Sequence, residues 1–169
     1  MKHSISRFSF LAALMLSLAA LASAQGKGVC SAAHMAGEYG HMLTGTVYPP
    51  NLPPGTAVAF ATVGRGTIDE EGNISGTQDS SLGGTVSKET IEGTITFNAD
   101  CTITWAVGIY DESGTTLLRK VTWAGVVVGN GKEAESRSIM TSLVAPTPFG
   151  EVSIPAVVTV VAKRTPGPH

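Results

Sequence analysis

The chain has little charge, few aromatic side chains and almost no cysteine. Charged residues make up 14% of its 169 positions, aromatic residues make up 6%, and there are two cysteines. Because 43% of the residues are apolar, the low charge excludes a disordered chain, which is typically charge-rich and poor in apolar residues. Two cysteines are too few for a metal-knuckle protein or a disulfide-dense mini-protein.

Basic residues are also scarce and dispersed. Eleven Lys and Arg face 13 Asp and Glu, for a net charge of -2, and no basic run is longer than Arg119-Lys120 or Lys163-Arg164. Nucleic-acid binding draws its affinity from clustered positive charge. DNA and RNA are therefore excluded as partners.

The N-terminal segment has the pattern of an export signal. A positively charged start, residues 2–7, precedes an uncharged apolar stretch at 8–21, and the small-x-small sequence of 22–24 ends just before Gln25. The apolar stretch is shorter than the roughly 20 residues of a membrane-spanning helix. We predict a signal peptide over residues 1–24 and a secreted or periplasmic mature protein.

The mature chain, residues 25–169, is predicted to be a single domain with one disulfide. It keeps roughly 145 residues, the length of one ordinary domain. Its nine basic and 13 acidic residues give a net charge of -4. Cys30 and Cys101 both remain, and an even cysteine count in an oxidising compartment predicts pairing. The bond would close a loop of about 70 residues and stabilise the fold by about 4 kcal/mol.

Turn signals divide the chain into short segments that are rich in Val, Thr, Ile and aromatic residues, a composition typical of strands. The predicted strands are residues 37–48, 57–69, 73–82, 85–98, 101–111, 115–128, 132–144 and 152–164. No connection has room for a crossover helix, so neighbouring strands should pair antiparallel. Eight long strands in series predict an all-β, eight-stranded antiparallel up-and-down barrel rather than a two-layer sandwich. Residues 31–36 predict a short helical turn before the first strand.

Period-two alternation identifies the inward faces of three strands. The inward residues are Ile91, Ile95 and Phe97 in the fourth strand, Ile103, Trp105, Val107 and Ile109 in the fifth, and Leu117, Arg119, Val121, Trp123 and Val127 in the sixth. The alternation does not decide the faces of the seventh and eighth strands. The outward residues of the fourth strand are polar, and few aromatic residues are available for interfacial girdles, so no membrane insertion is expected.

Two motifs carry a resemblance to a known group of proteins. Residues 66–76 read GTIDEEGNISG and residues 93–102 read GTITFNADCT. A D-x-x-G-N-x-S-G hairpin and an N-x-D-C-T junction of this kind resemble mostly uncharacterised exported bacterial proteins. The resemblance implies a small β-barrel of calycin or allene-oxide-cyclase-like shape. It implies no catalytic residues, because none is known for the group.

Five residues are candidates for ligand binding: Trp105, Trp123, Phe97, Arg119 and His41. The tryptophans either pack in the core or form a stacking wall for a ligand. His41 shares its strand face with apolar residues, where it is either a hydrogen-bonded structural residue or part of a pocket.

Arg119 requires a partner, because an unpaired buried guanidinium costs several kcal/mol. An inward carboxylate such as Glu89 or a polar ligand group would satisfy it. At a barrel rim the side chain would instead reach water.

No catalytic residue, metal site or cofactor is indicated by the sequence. The histidines and carboxylates lack metal-ligand spacing, and no G-x-S-x-G or C-x-x-C pattern occurs. The acidic residues 69–71 are interpreted as a solvated hairpin tip rather than a calcium loop. Asp100 is expected to bond nearby backbone in its turn.

These observations favour a non-enzymatic exported barrel that binds a small apolar or amphipathic molecule. The first alternative is a barrel cyclase or isomerase that acts on a hydrophobic substrate, with Arg119 and His41 as its polar groups. The second is a structural surface or matrix module with a filled barrel. The oligomeric state is not indicated by the sequence.

Overall fold

The structure is a computed structural model that describes residues 30–129 and 133–166. The predicted signal peptide, residues 1–24, lies outside the described residues. The described elements are α1 (Ala32–Met35), β1 (Gly37–Val47), β2 (Val58–Ile68), β3 (Asn73–Leu82), β4 (Thr85–Phe97), β5 (Thr102–Asp111), β6 (Leu117–Val128), β7 (Glu135–Thr147), β8 (Gly150–Ser153) and β9 (Ala156–Arg164).

The strands close into an antiparallel barrel. Each strand from β1 to β6 pairs with its sequence neighbour, β6 pairs with β7, and β9 lies between β7 and β1. This closure removes every sheet edge from the eight barrel strands. The additional strand β8 pairs with the C-terminal end of β7, on the edge of β7 that also pairs with β9. The predicted all-β barrel of eight antiparallel strands is confirmed.

The predicted eighth strand, residues 152–164, is two strands rather than one. β8 ends at Ser153 and β9 begins at Ala156. Pro155 lies between them and has no N–H to donate to a ladder, so the strand pairing is interrupted there. Its carbonyl accepts a hydrogen bond from the Tyr48 N–H at 2.9 Å. The break separates β8, which pairs with β7, from β9, which pairs with both β7 and β1 and closes the barrel.

The inward faces of β4, β5 and β6 are those that alternation predicts. Ile91, Ile103 and Trp123 are buried in one apolar core. β7 faces inward with Ser136 and Ser138, both buried, and outward with Ile139, of which 59% is exposed. Polar residues on the inner face explain why apolar alternation does not decide the orientation of this strand.

One end of the barrel, here called the helix end, is covered by α1. The Ser31 hydroxyl caps α1 by accepting a hydrogen bond from the His34 N–H at 3.3 Å. Met35 is buried, and its carbonyl accepts a hydrogen bond from the Tyr39 hydroxyl at 2.7 Å. The predicted helical turn is confirmed.

The predicted disulfide between Cys30 and Cys101 is present, with Cα atoms 5.2 Å apart. It joins the lead into α1 to the turn between β4 and β5. The opposite end of the barrel, here called the loop end, is formed by the connections 48–57, 83–84 and 112–116.

Candidate functional site

A buried carboxylate organises the interior of the barrel near the loop end. The Glu89 side chain is 2% exposed, and its two oxygens accept five hydrogen bonds. Arg119 donates two of these bonds, from Nη1 to Oε1 at 2.8 Å and from Nη2 to Oε2 at 2.6 Å. Ser80 and Ser87 donate to Oε1 at 2.8 and 3.2 Å, and Gln78 donates to Oε2 at 2.8 Å.

The structure identifies the partner that the sequence analysis requires for Arg119. Its partner is Glu89, in a bidentate arrangement that fixes the guanidinium plane. The Cζ atom of Arg119 also lies 5.7 Å from the centroid of the Phe60 ring, a cation–π distance. The Arg119 side chain remains 18% exposed. Glu89 accepts from two of the five N–H groups of Arg119, so three are not used by the ion pair.

The polar contacts continue inward from Glu89 to His41. The Gln78 amide donates to Glu89, and its Oε1 lies 3.2 Å from His41 Nε2. Together these side chains form what we term the interior polar cluster, with Ser87 as its exposed member near the loop end: Arg119, Glu89, Ser80, Ser87, Gln78 and His41.

The ionised carboxylate determines where the protons of this cluster lie. A carboxylate paired with arginine only accepts hydrogen bonds, so Gln78 must present its amino group to Glu89 and its carbonyl to His41. His41 therefore carries its proton on Nε2 and has its lone pair on Nδ1. This assignment follows from the hydrogen-bond network.

The pKa values are consistent with this arrangement. Burial raises the pKa of the Glu89 carboxyl, but Arg119, Gln78 and Ser80 outweigh that effect and hold it below its ordinary value. Burial lowers the pKa of His41, and its bond with Gln78 opposes the shift only in part. At neutral pH the cluster thus contains one ion pair and an uncharged imidazole.

Two small cavities lie inside the barrel, next to the cluster. The first has a volume of about 50 Å³ and the second about 40 Å³. His41, Ile74, Ile91 and Trp105 line both cavities, so these side chains stand between the two spaces. The remaining walls are mainly apolar, and the first cavity reaches Arg119.

Each ligand-binding candidate from the sequence lines at least one cavity. Arg119 and Trp123 line the first cavity, Phe97 lines the second, and His41 and Trp105 line both. The structure therefore brings these five side chains into one region of the barrel interior.

Three members of the interior polar cluster were missed as site residues by the sequence reasoning: Gln78, Ser80 and Ser87. Gln78 and Ser80 lie in phase with the inward Ile74 of β3, and Ser87 lies in phase with Ile91 of β4. The period-two pattern could have found them if it had been continued through polar positions.

Three buried side-chain atoms have no hydrogen-bond partner among the described residues: Thr62 Oγ1, Trp105 Nε1 and Ser138 Oγ. Trp105 is the one that lines the cavities. Buried indole N–H groups usually find an acceptor. Trp105 Nε1 is thus a buried donor, without a partner among the described residues, on a side chain that lines both cavities.

The aspartates of the acidic turns accept hydrogen bonds from within their own turns. Asp69 accepts hydrogen bonds from the Asn73 N–H and the Asn73 side chain, both at 2.7 Å. Asp100 bonds the Thr102 N–H at 3.0 Å, as expected for a turn aspartate. In the part of the chain that the structure describes, no three His, Cys, Asp or Glu side chains are grouped to hold a metal ion.

Comparison with known proteins returned no match to a family model, a curated protein or a solved structure. Within residues 30–129 and 133–166, no helix has both the length and the apolar character needed to cross a membrane. The disulfide is compatible with an extracellular or periplasmic location.

Proposed function

We propose that this protein is an exported, non-enzymatic barrel that binds a small amphipathic molecule in its interior. The observation that carries the proposal is the position of Arg119, whose fixed guanidinium lies at the wall of an apolar cavity with unused N–H donors. An apolar space with a few converging polar groups is the usual form of a small-molecule site.

The ion pair makes Arg119 a suitable anchor. Glu89 holds the guanidinium in one orientation, so little side-chain freedom remains to be lost when a ligand binds. Glu89 also neutralises the charge of Arg119. The cluster therefore favours an uncharged polar group on the ligand, while the apolar body occupies the cavities.

The size of the cavities restricts the ligand. Volumes of about 50 and 40 Å³ are each below the roughly 150 Å³ of a cavity that holds one benzene ring. The ligand is therefore at most a short chain or one ring, and a ring has to occupy both cavities and displace the side chains between them. Ligands of this size are the appropriate probes: cyclohexanol, n-hexanol and phenol, measured by isothermal calorimetry and by the shift in melting temperature.

A cavity-filling substitution tests the proposal. Val160 lines the first cavity, whereas Val158 is equally buried on the same face of β9 but lines neither cavity. Each change to Phe overpacks the core and is expected to cost about 1–3 kcal/mol of stability. We expect Val160→Phe to abolish binding and Val158→Phe, the matched control, to retain it.

The result that contradicts the proposal is the absence of binding by all three probes to the folded parent protein. That outcome would favour the filled-barrel module. A barrel that binds the probes equally well with Val160→Phe would place the binding site elsewhere.

A further inference from the structure

The strongest unexplained feature of the interior is a pair of hydrogen-bonding groups, one donor and one acceptor. They belong to side chains that line the same two cavities. Trp105 offers an N–H that has no partner among the described residues. His41 offers a lone pair, because the network fixes its proton on Nε2 and directs that nitrogen to Gln78. Both side chains line both cavities.

We propose that the ligand carries a hydroxyl group, as an alcohol or a phenol, which accepts a hydrogen bond from Trp105 Nε1 and donates one to His41 Nδ1. This inference rests on the binding function proposed above and specifies its ligand class. The apolar remainder of the molecule would pack against Ile74 and Ile91, which share the same walls.

The chemistry of the two groups favours a hydroxyl over polar groups that only accept hydrogen bonds. A hydroxyl both donates and accepts, so it satisfies both protein groups at once. A carbonyl or an ether accepts only and leaves the His41 lone pair without a donor. A carboxylate would meet that same lone pair in an apolar space close to Glu89, and burying a second anion there is costly.

The orientation of Gln78 is what makes His41 an acceptor. With the amide reversed, Gln78 would present its carbonyl to the Glu89 carboxylate, and two acceptors would face each other. The ion pair with Arg119 keeps Glu89 ionised, which prevents this reversal. The cluster thus connects the Arg119 charge near the loop end to the proton position on His41.

The test compares three probes of nearly equal size: phenol, anisole and toluene. Phenol donates and accepts, anisole only accepts, and toluene does neither. Dissociation constants are measured by isothermal calorimetry on the full mature protein. We expect phenol to bind at least tenfold more tightly than toluene, with anisole between them. A site built to bond a hydroxyl rejects analogues that lack one, because its buried polar groups are then left unpaired.

Two variants assign the preference to the proposed atoms. Trp105→Phe removes the N–H but keeps an aromatic ring, and should reduce the preference of phenol over toluene to less than threefold. Tyr110→Phe is the control, since it removes a polar donor from an aromatic side chain of the same strand, β5, that lines neither cavity. The preference should survive in this control. His41→Leu should lose the preference as Trp105→Phe does, which provides a second test if Trp105→Phe fails to fold.

The outcomes separate this inference from the proposed function. Equal binding of phenol and toluene by the parent protein would overturn the hydroxyl assignment and leave the binding function intact. Binding of no probe would overturn the proposed function. A phenol preference that persists in both Trp105→Phe and His41→Leu would contradict the assignment, because it would show that other groups form the hydrogen bonds with the hydroxyl.

Discussion

At the scale of single residues, Glu89 governs the interior because it is buried, ionised and fully hydrogen-bonded. Five donors from four side chains meet its two oxygens. Removing one partner from such an arrangement leaves the others with an uncompensated charge, whereas removing both charges together does not. This asymmetry can be measured.

We expect Arg119→Met to lower the free energy of unfolding by about 3 kcal/mol, at the lower end for a buried pair because Arg119 is partly exposed. The double change Arg119→Met with Glu89→Leu should recover most of the loss. Urea unfolding of the parent, both single variants and the double variant gives the coupling energy. Additive losses would contradict the structural role of the pair.

The titrations of His41 and Glu89 should both contribute to the pH dependence of stability. The pKa of His41 is lower in the folded protein than its ordinary value of 6.5, so the unfolded chain takes up the proton first as the pH falls below 6.5. Stability conferred by neutral His41 is therefore lost from that pH downward. The pKa of Glu89 is also lowered, from 4.5, so its contribution is lost as the pH falls below 4.5.

Melting temperatures measured between pH 8 and pH 3 check these directions. His41→Leu should flatten the curve just below pH 6.5, and Glu89→Gln should flatten it below pH 4.5. Asp111, whose turn lowers its pKa to about 2, adds an acid-dependent contribution that remains in both variants. A parent curve that is flat from pH 7 to pH 5 would contradict the assignment of an uncharged, buried His41.

At the scale of elements, the strands approach each other closely at interior glycines. A Cβ built on Gly64 of β2 would lie 2.5 Å from the Thr77 carbonyl oxygen and 2.7 Å from His41 Nε2. The absence of a side chain there lets β2 pack against β3 and leaves room for the imidazole of β1. The interior polar cluster thus depends on a glycine that carries no chemistry itself.

Gly64→Ala is expected to cost about 2 kcal/mol of stability, because the clash involves backbone and cannot be relieved by a rotamer change. It should also weaken probe binding by displacing His41. Gly40→Ala is the matched control on β1, where the nearest atom to the added Cβ is Thr165 Cγ2 at 3.8 Å. We expect that change to alter stability by no more than about 0.5 kcal/mol. Similar thermal melts for the two variants would contradict the argument.

The elements also show how far the sequence could predict the structure. β4, β5 and β6 alternate with apolar residues inward, so their faces and the Arg119 position were predictable from period two. The choice of Glu89 among the possible partners of Arg119 was not, because it depends on the register between β4, β5 and β6. In β7 the inward residues are polar, and the hydrophobic signal cannot report them.

Period-two alternation does not report the division of the predicted eighth strand either, although Pro155 marks it. The residues of the candidate site were predictable to the same extent as the strand faces. Aromatic and charged residues on apolar strands were found, whereas Gln78 and Ser80 were missed because polar side chains inside a barrel resemble ordinary solvent-facing ones. Their role becomes visible only when three-dimensional pairing places them against Glu89.

At the scale of the whole molecule, the two ends of the barrel are held together by different interactions. The helix end is covered by α1 and fixed by the disulfide, while the ion pair and Arg119 lie toward the loop end. The disulfide closes a separation of 71 residues, which includes β1, β2, β3 and β4. Met35 of α1 and Tyr39 line the second cavity but not the first. We therefore predict that the disulfide governs stability with little effect on binding at the first cavity.

Replacing Cys30 and Cys101 together with Ala is expected to lower the free energy of unfolding by about 4 kcal/mol, because the unfolded chain regains the entropy of an open loop. Reduction of the parent protein with dithiothreitol should give the same loss without any substitution, and is the control for effects of the new side chains. Below the unfolding transition the reduced protein should still bind phenol within threefold of the oxidised protein. Hydrogen exchange should speed up in α1 and at Tyr39, at the helix end, and not around Glu89 and Arg119. A loss of binding that accompanies reduction of a still-folded barrel would contradict this separation, because it would mean that the helix end positions the interior site.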